Sequence, residues 1–328
     1  MQQANIIYTD TQTGSTIGLV EEPATSYGLQ NPYLCSPMNY IGGKFKLLPQ
    51  LMPLFPKRIN TFVDLFCGGC NVGINTSANN IIFNDNLLYL IDLYQVFNKQ
   101  STREILEHIE KRISEYQLSL TNEQGYKRLR LLYNKKRNPL DLFVLTAFSF
   151  NHQIRFNNSH EFNNPFGKER SCYNPRMKSN LISFLNRLRN KNASFCCNNF
   201  DTFKFEDLSE SDFVYCDPPY LITTGTYNDG KRGFTGWNEN EENKLLSILT
   251  SIDSRNIKFA LSNVLVHKGK TNNVLQKWII DNDYFVSHLN MNYSNSNYHT
   301  IDRNKKATDE VLITNYQPQE QQVLLKFS

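Results

Sequence analysis

Seven short apolar runs, spaced unevenly along the chain, constrain its fold more than any other feature. Two come early: Thr61-Phe62-Val63-Asp64-Leu65-Phe66 and Ile81-Ile82-Phe83-Asn84-Asp85-Asn86. The third begins only at Ser194-Phe195-Cys196-Cys197. Then follow Asp212-Phe213-Val214-Tyr215-Cys216, Lys258–Ser262, Tyr284–His288 and Glu310–Thr314. Each is rich in β-branched and aromatic residues and reads as a buried strand. Helical spacing separates the later runs, through Leu245, Leu246 and Leu249 and then Val274, Leu275, Trp278 and Ile279. Strands alternating with helices give a mostly parallel sheet covered on both faces. The expected fold is α/β: a Rossmann-like seven-stranded sheet, ending in a hairpin and interrupted by one mostly helical insert.

The interruption has its own composition. Ile105, Ile109, Ile113 and Tyr116 recur at helical spacing, and Leu140, Phe143, Val144 and Ala147 do so after Pro139. Between them, Thr121 and Gln124 resemble a capping box ahead of Leu129, Leu132 and Tyr133. Phe150 to Pro175 loses periodicity and mixes Asn and aromatic residues with Arg155, Lys168, Arg170 and Arg176, a composition suited to phosphates and base edges. From Lys127 to Lys191 stand 14 Lys and Arg against three acids, an excess of 11, so the rest of a chain of net charge +4 is acidic by 7. Such asymmetry points to a surface for a polyanion. The boundaries that follow are a flexible tail over 1–30, a sheet domain over 31–92 and 193–328, and a helical insert over 93–192. No run of 18 apolar residues predicts a membrane span, and the polar first 30 residues do not read as a signal peptide. Seven cysteines, an odd number mostly inside apolar runs, point to reduced thiols and a cytoplasmic setting.

Chemistry concentrates where strands end. The first runs into Cys67-Gly68-Gly69-Cys70, a turn that lets backbone approach a nucleotide-like ligand. The second ends in Asp85, roughly 20 residues on, an offset that puts a carboxylate on ribose hydroxyls in nucleotide folds. Gly42-Gly43-Lys44 offers close backbone approach beside a cation. Neither glycine pattern is a phosphate-binding P-loop or the G-x-G-x-x-G of nicotinamide folds. The Cys67–Cys70 pair has no second ligand pair at zinc spacing, so no metal is expected. The fourth strand stops at Asp217-Pro218-Pro219-Tyr220, where two prolines stiffen a turn carrying a carboxylate, carbonyls and an aromatic ring. That turn suits a flat, hydrogen-bonding ring such as a nucleobase. Leu221 to Trp237, with four glycines, reads as a lid beside it.

In order, Asn39-Tyr40-Ile41-Gly42-Gly43-Lys44, Asp64-Leu65-Phe66-Cys67-Gly68-Gly69, Asn84-Asp85-Asn86, the basic insert and Asp217-Pro218-Pro219-Tyr220 resemble the Dam-type (D12 class) DNA adenine-N6 methyltransferases. The resemblance covers roughly residues 36–316 and includes Phe150-Asn151-His152 and the stretch from Arg155 to Gly167. It implies S-adenosyl-L-methionine as cofactor, held by Tyr40, Lys44, Phe66, Gly68, Gly69, Asp85 and Asp217. It implies Asp217, Pro218 and Tyr220 as the catalytic residues, with Tyr220 stacking on an extruded adenine. In the insert, Arg155 matches a base-reading position, Asn157 and Lys168 match phosphate contacts, and Pro165 matches a contact to a thymine methyl; Arg170 joins them as a neighbouring cation. The implied partners are double-stranded DNA and a cognate restriction endonuclease, with no membrane, and the chain is expected to be a monomer or weak dimer. This sequence departs from the family at Cys67-Gly68-Gly69-Cys70, where Gly-Ala-Gly-Ser or Gly-Gly-Gly-Ser is commoner, and in a short loop between His152 and Arg155. The alternatives are an RNA or protein-amide methyltransferase on the same fold and a non-catalytic DNA-binding relative.

Overall fold

The structure is a computed structural model that describes residues 32–223, 237–289 and 308–318. The expected tail over 1–30 and most of the expected lid, 224–236, lie outside the described residues. The described residues from Tyr33 onward fall in one compact unit.

All seven expected strands form one sheet: β1 (Thr61–Asp64), β2 (Asn80–Asn84), β3 (Asn192–Cys196), β4 (Phe213–Cys216), β5 (Lys258–His267), β7 (Phe285–Leu289) and β8 (Thr308–Thr314). An eighth, β6 (Lys270–Thr271), is a short return paired to the end of β5. The order is β3-β2-β1-β4-β5-β8-β7. From β3 to β5 neighbours are parallel. β8 slots between β5 and β7, antiparallel to both.

Two consequences place a site. The chain builds outward from β1 to β3, then crosses back to lay β4 on the other side of β1. The carboxyl ends of β1 and β4 therefore flank the point where the winding reverses, where open α/β sheets bind ligands. Because β8 runs against its neighbours, its first residues lie at that same edge, with Glu310 opposite Val264 of β5 and Leu289 of β7.

Alternation along the central strands feeds two cores. Phe62, Phe213 and Tyr215 face one side, while Val63, Val214 and Cys216 face the other. α7 (Glu239–Asp253) and α8 (Asn273–Asp281) cover the second face through Leu245, Leu249 and Leu275. The first face carries α2 (Leu88–Lys99) and α6 (Pro175–Arg189), whose Tyr94, Phe97, Phe184 and Leu188 are fully buried in one core with Ile81 and Phe83. Full burial of each such side chain contributes about 1.5–3 kcal/mol relative to exposure.

The one-turn α1 (Leu48–Leu51) precedes β1, and α3 (Thr102–Glu115), α4 (Glu123–Lys136) and α5 (Pro139–Phe148) complete the helical layer. Every residue of α5 from Leu140 to Phe148 is buried, as expected of a helix apolar on all sides. Its one acid, Asp141, accepts hydrogen bonds from His108 Nε2 at 2.7 Å and Arg112 Nε at 2.8 Å, tying α5 to α3. The expected capping box at Thr121–Gln124 is not the one formed. Asn122 caps α4 by accepting from the Gly125 amide at 2.9 Å, while its own amide donates to the Gln117 carbonyl. Gly125 permits this because a Cβ there would collide with the Tyr116 carbonyl. The box lies at Ser101–Glu104 instead, opening α3. Among the described residues no helix is long and apolar enough to cross a membrane.

Candidate active site

The turn after β1 is held from three sides. Gly68 sits at φ +44°, in the left-handed region. Its amide donates to Asp85 Oδ2 at 3.0 Å, and its carbonyl accepts from the Tyr94 hydroxyl at 2.8 Å. A Cβ on Gly68 would stand 2.8 Å from a ring carbon of Tyr40, so that ring lies against bare backbone. Asp85 also accepts from the Leu87 amide at 2.9 Å, which fixes the entry to α2. Tyr40, Gly68, Gly69 and Asp85 thus come together as the sequence implies, joined by Tyr94, which sequence reasoning missed.

Three acids cap neighbouring strands: Asp64 on β1, Asp85 on β2 and Asp217 on β4. Asp64 is 2% exposed, and its Oδ2 accepts from the Gly73 amide at 3.0 Å. Burial pushes its carboxyl up to about 7, opposed by that amide and reinforced by the charges of Asp217 and Asp85.

Beside this turn, Lys44 Nζ lies 2.7 Å from Asp217 Oδ2 and 3.7 Å from Glu310 Oε1. The three side chains are 6%, 17% and 5% exposed respectively. Lys44 also donates to the Gly42 carbonyl at 3.0 Å, so the Gly42-Gly43 turn curls back on its own lysine. The Tyr220 hydroxyl stands 2.9 Å from Glu310 Oε1 and 3.2 Å from Asp217 Oδ1, and Lys44 Nζ lies 5.1 Å from the Tyr220 ring centroid. Burial raises the Asp217 carboxyl, with Lys44 and then Tyr220 opposing. Burial raises Glu310 too, opposed by Lys44 and aided by the charge of Asp217. Burial also holds the Tyr220 hydroxyl well above its ordinary range. Glu310 was missed by sequence reasoning; its one signal is an acid standing ahead of the apolar run Val311-Leu312-Ile313.

Three aromatic rings cluster after β1, after β3 and ahead of α7. The Phe66 ring centroid is 5.7 Å from that of Phe200 and 5.9 Å from that of Trp237. Trp237 donates to Glu242 Oε2 at 2.6 Å, and Asn263 and Asn272 donate to Glu242 Oε1 at 2.9 and 3.1 Å. Phe200, Trp237 and Glu242 were not singled out from the sequence; they cluster by long-range packing with no local motif.

The five residues implied for DNA lie on one irregular segment after α5. It folds back on itself through the bridges Ser149–Phe166 and Phe156–Phe162. Arg155, Pro165, Lys168 and Arg170 are exposed on it. The Arg170 guanidinium lies 5.6 Å from the Phe150 ring centroid. Asn157 instead builds the turn: its Oδ1 accepts from the Ser159 and Glu161 amides at 3.0 and 2.8 Å, and its Nδ2 donates to Glu161 Oε2 at 3.0 Å. Asn39 Nδ2 donates to the Asn151 carbonyl at 2.8 Å, which ties the segment to the Tyr40–Lys44 loop. Cys67 and Cys70 are buried free thiols, and no group of three or more metal-ligating side chains occurs among the described residues.

Comparison with known proteins bears on this arrangement. A family model described as D12 class N6 adenine-specific DNA methyltransferase matches residues 40–307. The chain is 52% identical over 286 residues to the Type II methyltransferase M.FokI of Planomicrobium okeanokoites, covering 87% of this chain and 43% of that protein. It is 50% identical over 285 residues to Modification methylase StsI of Streptococcus sanguinis, again over 87% and 43%. It is 28% identical over 236 residues to the DNA adenine methylase of Escherichia coli (strain K12), covering 69% of this chain and 79% of that one. The chain therefore spans less than half the length of the first two.

Proposed function

The chain belongs to the D12 class N6 adenine-specific DNA methyltransferases, and from that premise we propose that it transfers a methyl group from S-adenosylmethionine to N6 of an adenine extruded from a short duplex sequence. One observation carries the reading: Asp217 already holds an amine, the Lys44 ammonium at 2.7 Å, at a nearly closed edge beside a proline carbonyl and a tyrosine ring.

The residues present fit the methyl donor. Gly68 and Gly69 present backbone without side chains, since a Cβ on Gly69 would press within 3.2 Å of Asn71 Nδ2 and 3.3 Å of Tyr40 Cβ. Asp85 and Asp217 place carboxylates at this edge, which favours a cationic ligand, and Phe66 offers an aromatic face. When bound, S-adenosylmethionine supplies a methyl already activated on a sulfonium.

The chain's own residues then have positional work. An adenine N6 lone pair is delocalised into the ring. Accepting the N6 hydrogens at the Asp217 carboxylate and the Pro218 carbonyl localises and aims it, and placement with electrostatics suffices for in-line transfer. Extrusion of the base costs a few kcal/mol, and stacking on Tyr220 offsets about 1–3 kcal/mol of that. Residues 93–192 serve as the target-reading part, with Arg155 at a base edge, Lys168 and Arg170 toward phosphates, and Asn157 shaping the turn over 157–161. Two relatives carry the names of type II and modification enzymes, which supports a role in the cytoplasm protecting DNA from a cognate endonuclease.

The test is incubation with labelled S-adenosylmethionine and, in parallel, unmethylated duplex DNA, RNA or protein, followed by sequencing of the DNA that detects modified adenines. Label in adenines of one short motif is expected. Binding of the duplex without transfer favours a non-catalytic DNA-binding relative, and label in RNA or protein alone overturns the DNA assignment.

A further inference from the structure

Among the described residues, Asp217, Tyr220 and Glu310 form a chain of oxygens that is one hydrogen short. The Tyr220 hydroxyl lies within hydrogen-bond distance of both carboxylates, 2.9 Å from Glu310 Oε1 and 3.2 Å from Asp217 Oδ1. A phenol carries one hydrogen. With both carboxylates ionised it donates to one and sets a lone pair against the other. Lys44 does not repair this. It donates to Asp217 Oδ2 at 2.7 Å and to the Gly42 carbonyl at 3.0 Å, and its distance to Glu310, 3.7 Å, is beyond a hydrogen bond. One ammonium against two carboxylates also leaves a nearly closed cluster with an uncompensated negative charge, which is costly.

One added proton answers both problems, and the distances say where it goes. The anion belongs on the carboxylate nearer the ammonium, which is Asp217. The proton then sits on Glu310, which donates to the Tyr220 oxygen, while Tyr220 donates to Asp217 Oδ1. We propose that Glu310 is a positioning residue that holds one proton in the folded protein and, through the Tyr220 hydroxyl, keeps Asp217 ionised and aimed at the target amine. The proton comes from solvent, and no bond of substrate or cofactor is involved. The role of Asp217 in this statement rests on the function proposed above; the proton count does not. Among the described residues, the titratable groups facing Glu310 are Lys44 from the loop after Gly43, and Asp217, Tyr220 and, deeper, Tyr215 from β4 and the turn after it. Its register neighbours Val264 on β5 and Leu289 on β7 are apolar.

Glutamine is the isostere of a protonated glutamate, so it separates this role from that of a simple anion. Infrared spectra of the wild type at neutral pH, with and without ¹³C-glutamate labelling, are expected to show a carboxylic-acid carbonyl band that moves with the label and is missing in Glu310→Gln. In single-turnover methyl transfer, Glu310→Ala is expected to lose on the order of 100-fold in rate, and Glu310→Gln to recover at least about tenfold of that loss. The wild-type rate should fall on the alkaline side as Glu310 ionises and competes for the Tyr220 hydrogen; Glu310→Gln should lack that fall. Absence of the labelled band, a Gln variant as impaired as the Ala variant, or the same alkaline fall in both overturns the proposal. The labelled band needs no variant, so a poorly folding Glu310→Ala does not disable the test. A wild type with the band but no methyl transfer overturns the proposed reaction and supports the proton assignment.

Discussion

Lys44 and Asp217 are 173 positions apart in the sequence and meet at 2.7 Å across the carboxyl edge of the sheet. Removing one member of a buried pair leaves the other uncompensated, typically at about 3–5 kcal/mol. Lys44 has a second carboxylate 3.7 Å away in Glu310, whereas among the described residues Lys44 is the one cation paired with Asp217. Lys44→Met is therefore expected to destabilise the fold at neutral pH more than Asp217→Asn does. Urea unfolding of both variants checks the order, and a more damaging Asp217→Asn would reverse it.

Asp217→Ala and Tyr220→Ala are each expected to cut methyl transfer by about 100-fold or more, the scale of losing one preorganised polar contact, while far-UV circular dichroism stays native. Single-turnover rates near those of the wild type in both variants would remove this turn from the reaction.

Asp64 ties folding stability to pH. Its folded carboxyl titrates at about 7 against an ordinary 3.8, so between those values the folded chain binds a proton that the unfolded chain has released. A raised carboxyl makes stability greatest below the unfolded value and loses it as pH rises to the folded one, at up to about 1.4 kcal/mol per pH unit. Asp64→Asn should flatten the dependence of urea midpoints on pH across this window. An unaltered slope would mean that Asp64 is ionised throughout.

Arg155 and Lys168 should separate as reader and positioner. Arg155→Ala is expected to relax choice at one base pair by roughly 1–3 kcal/mol, and Lys168→Ala to weaken all sequences alike and lower the salt slope by about one. Binding titrations over a panel of single-base variants at several salt concentrations compare them; identical behaviour would contradict the division.

Gly68→Ala should be damaging for a reason local to the turn. Its backbone is left-handed at φ +44° and a methyl would press on Tyr40 from 2.8 Å, so a strain cost of about 1–3 kcal/mol is expected. Calorimetric titration with S-adenosylhomocysteine should show weaker binding, and wild-type affinity would take the turn out of the cofactor site.

The strands, the glycine turn and the Asp217–Tyr220 turn were legible because each is written locally, in alternation, glycine or proline. Glu310 was not, because its place depends on β8 inserting between β5 and β7, a pairing that no window of sequence displays. The cap at Asn122 was displaced by one residue from the expected Thr121 because Gly125 lets the Tyr116 carbonyl close in. Asn157 matches a phosphate contact in the resemblance, yet three of its hydrogen bonds go to its own turn, which only the placement of Ser159 and Glu161 reveals. Trp237 and Glu242 meet Asn263 and Asn272 by the same long-range route.

The antiparallel course of β8 also sets an order of assembly during synthesis. Lys44, the glycine turn and Asp217 emerge from the ribosome well before Glu310, and the facing edges of β5 and β7 have no partner until the residues of β8 follow. Nascent chains short of Thr314 thus carry most of the proposed site on a sheet with a gap, the exposure that invites mispairing during folding. The strand that closes the gap is the one that brings Glu310, so the completeness of the sheet and the completeness of the site are reached in a single event.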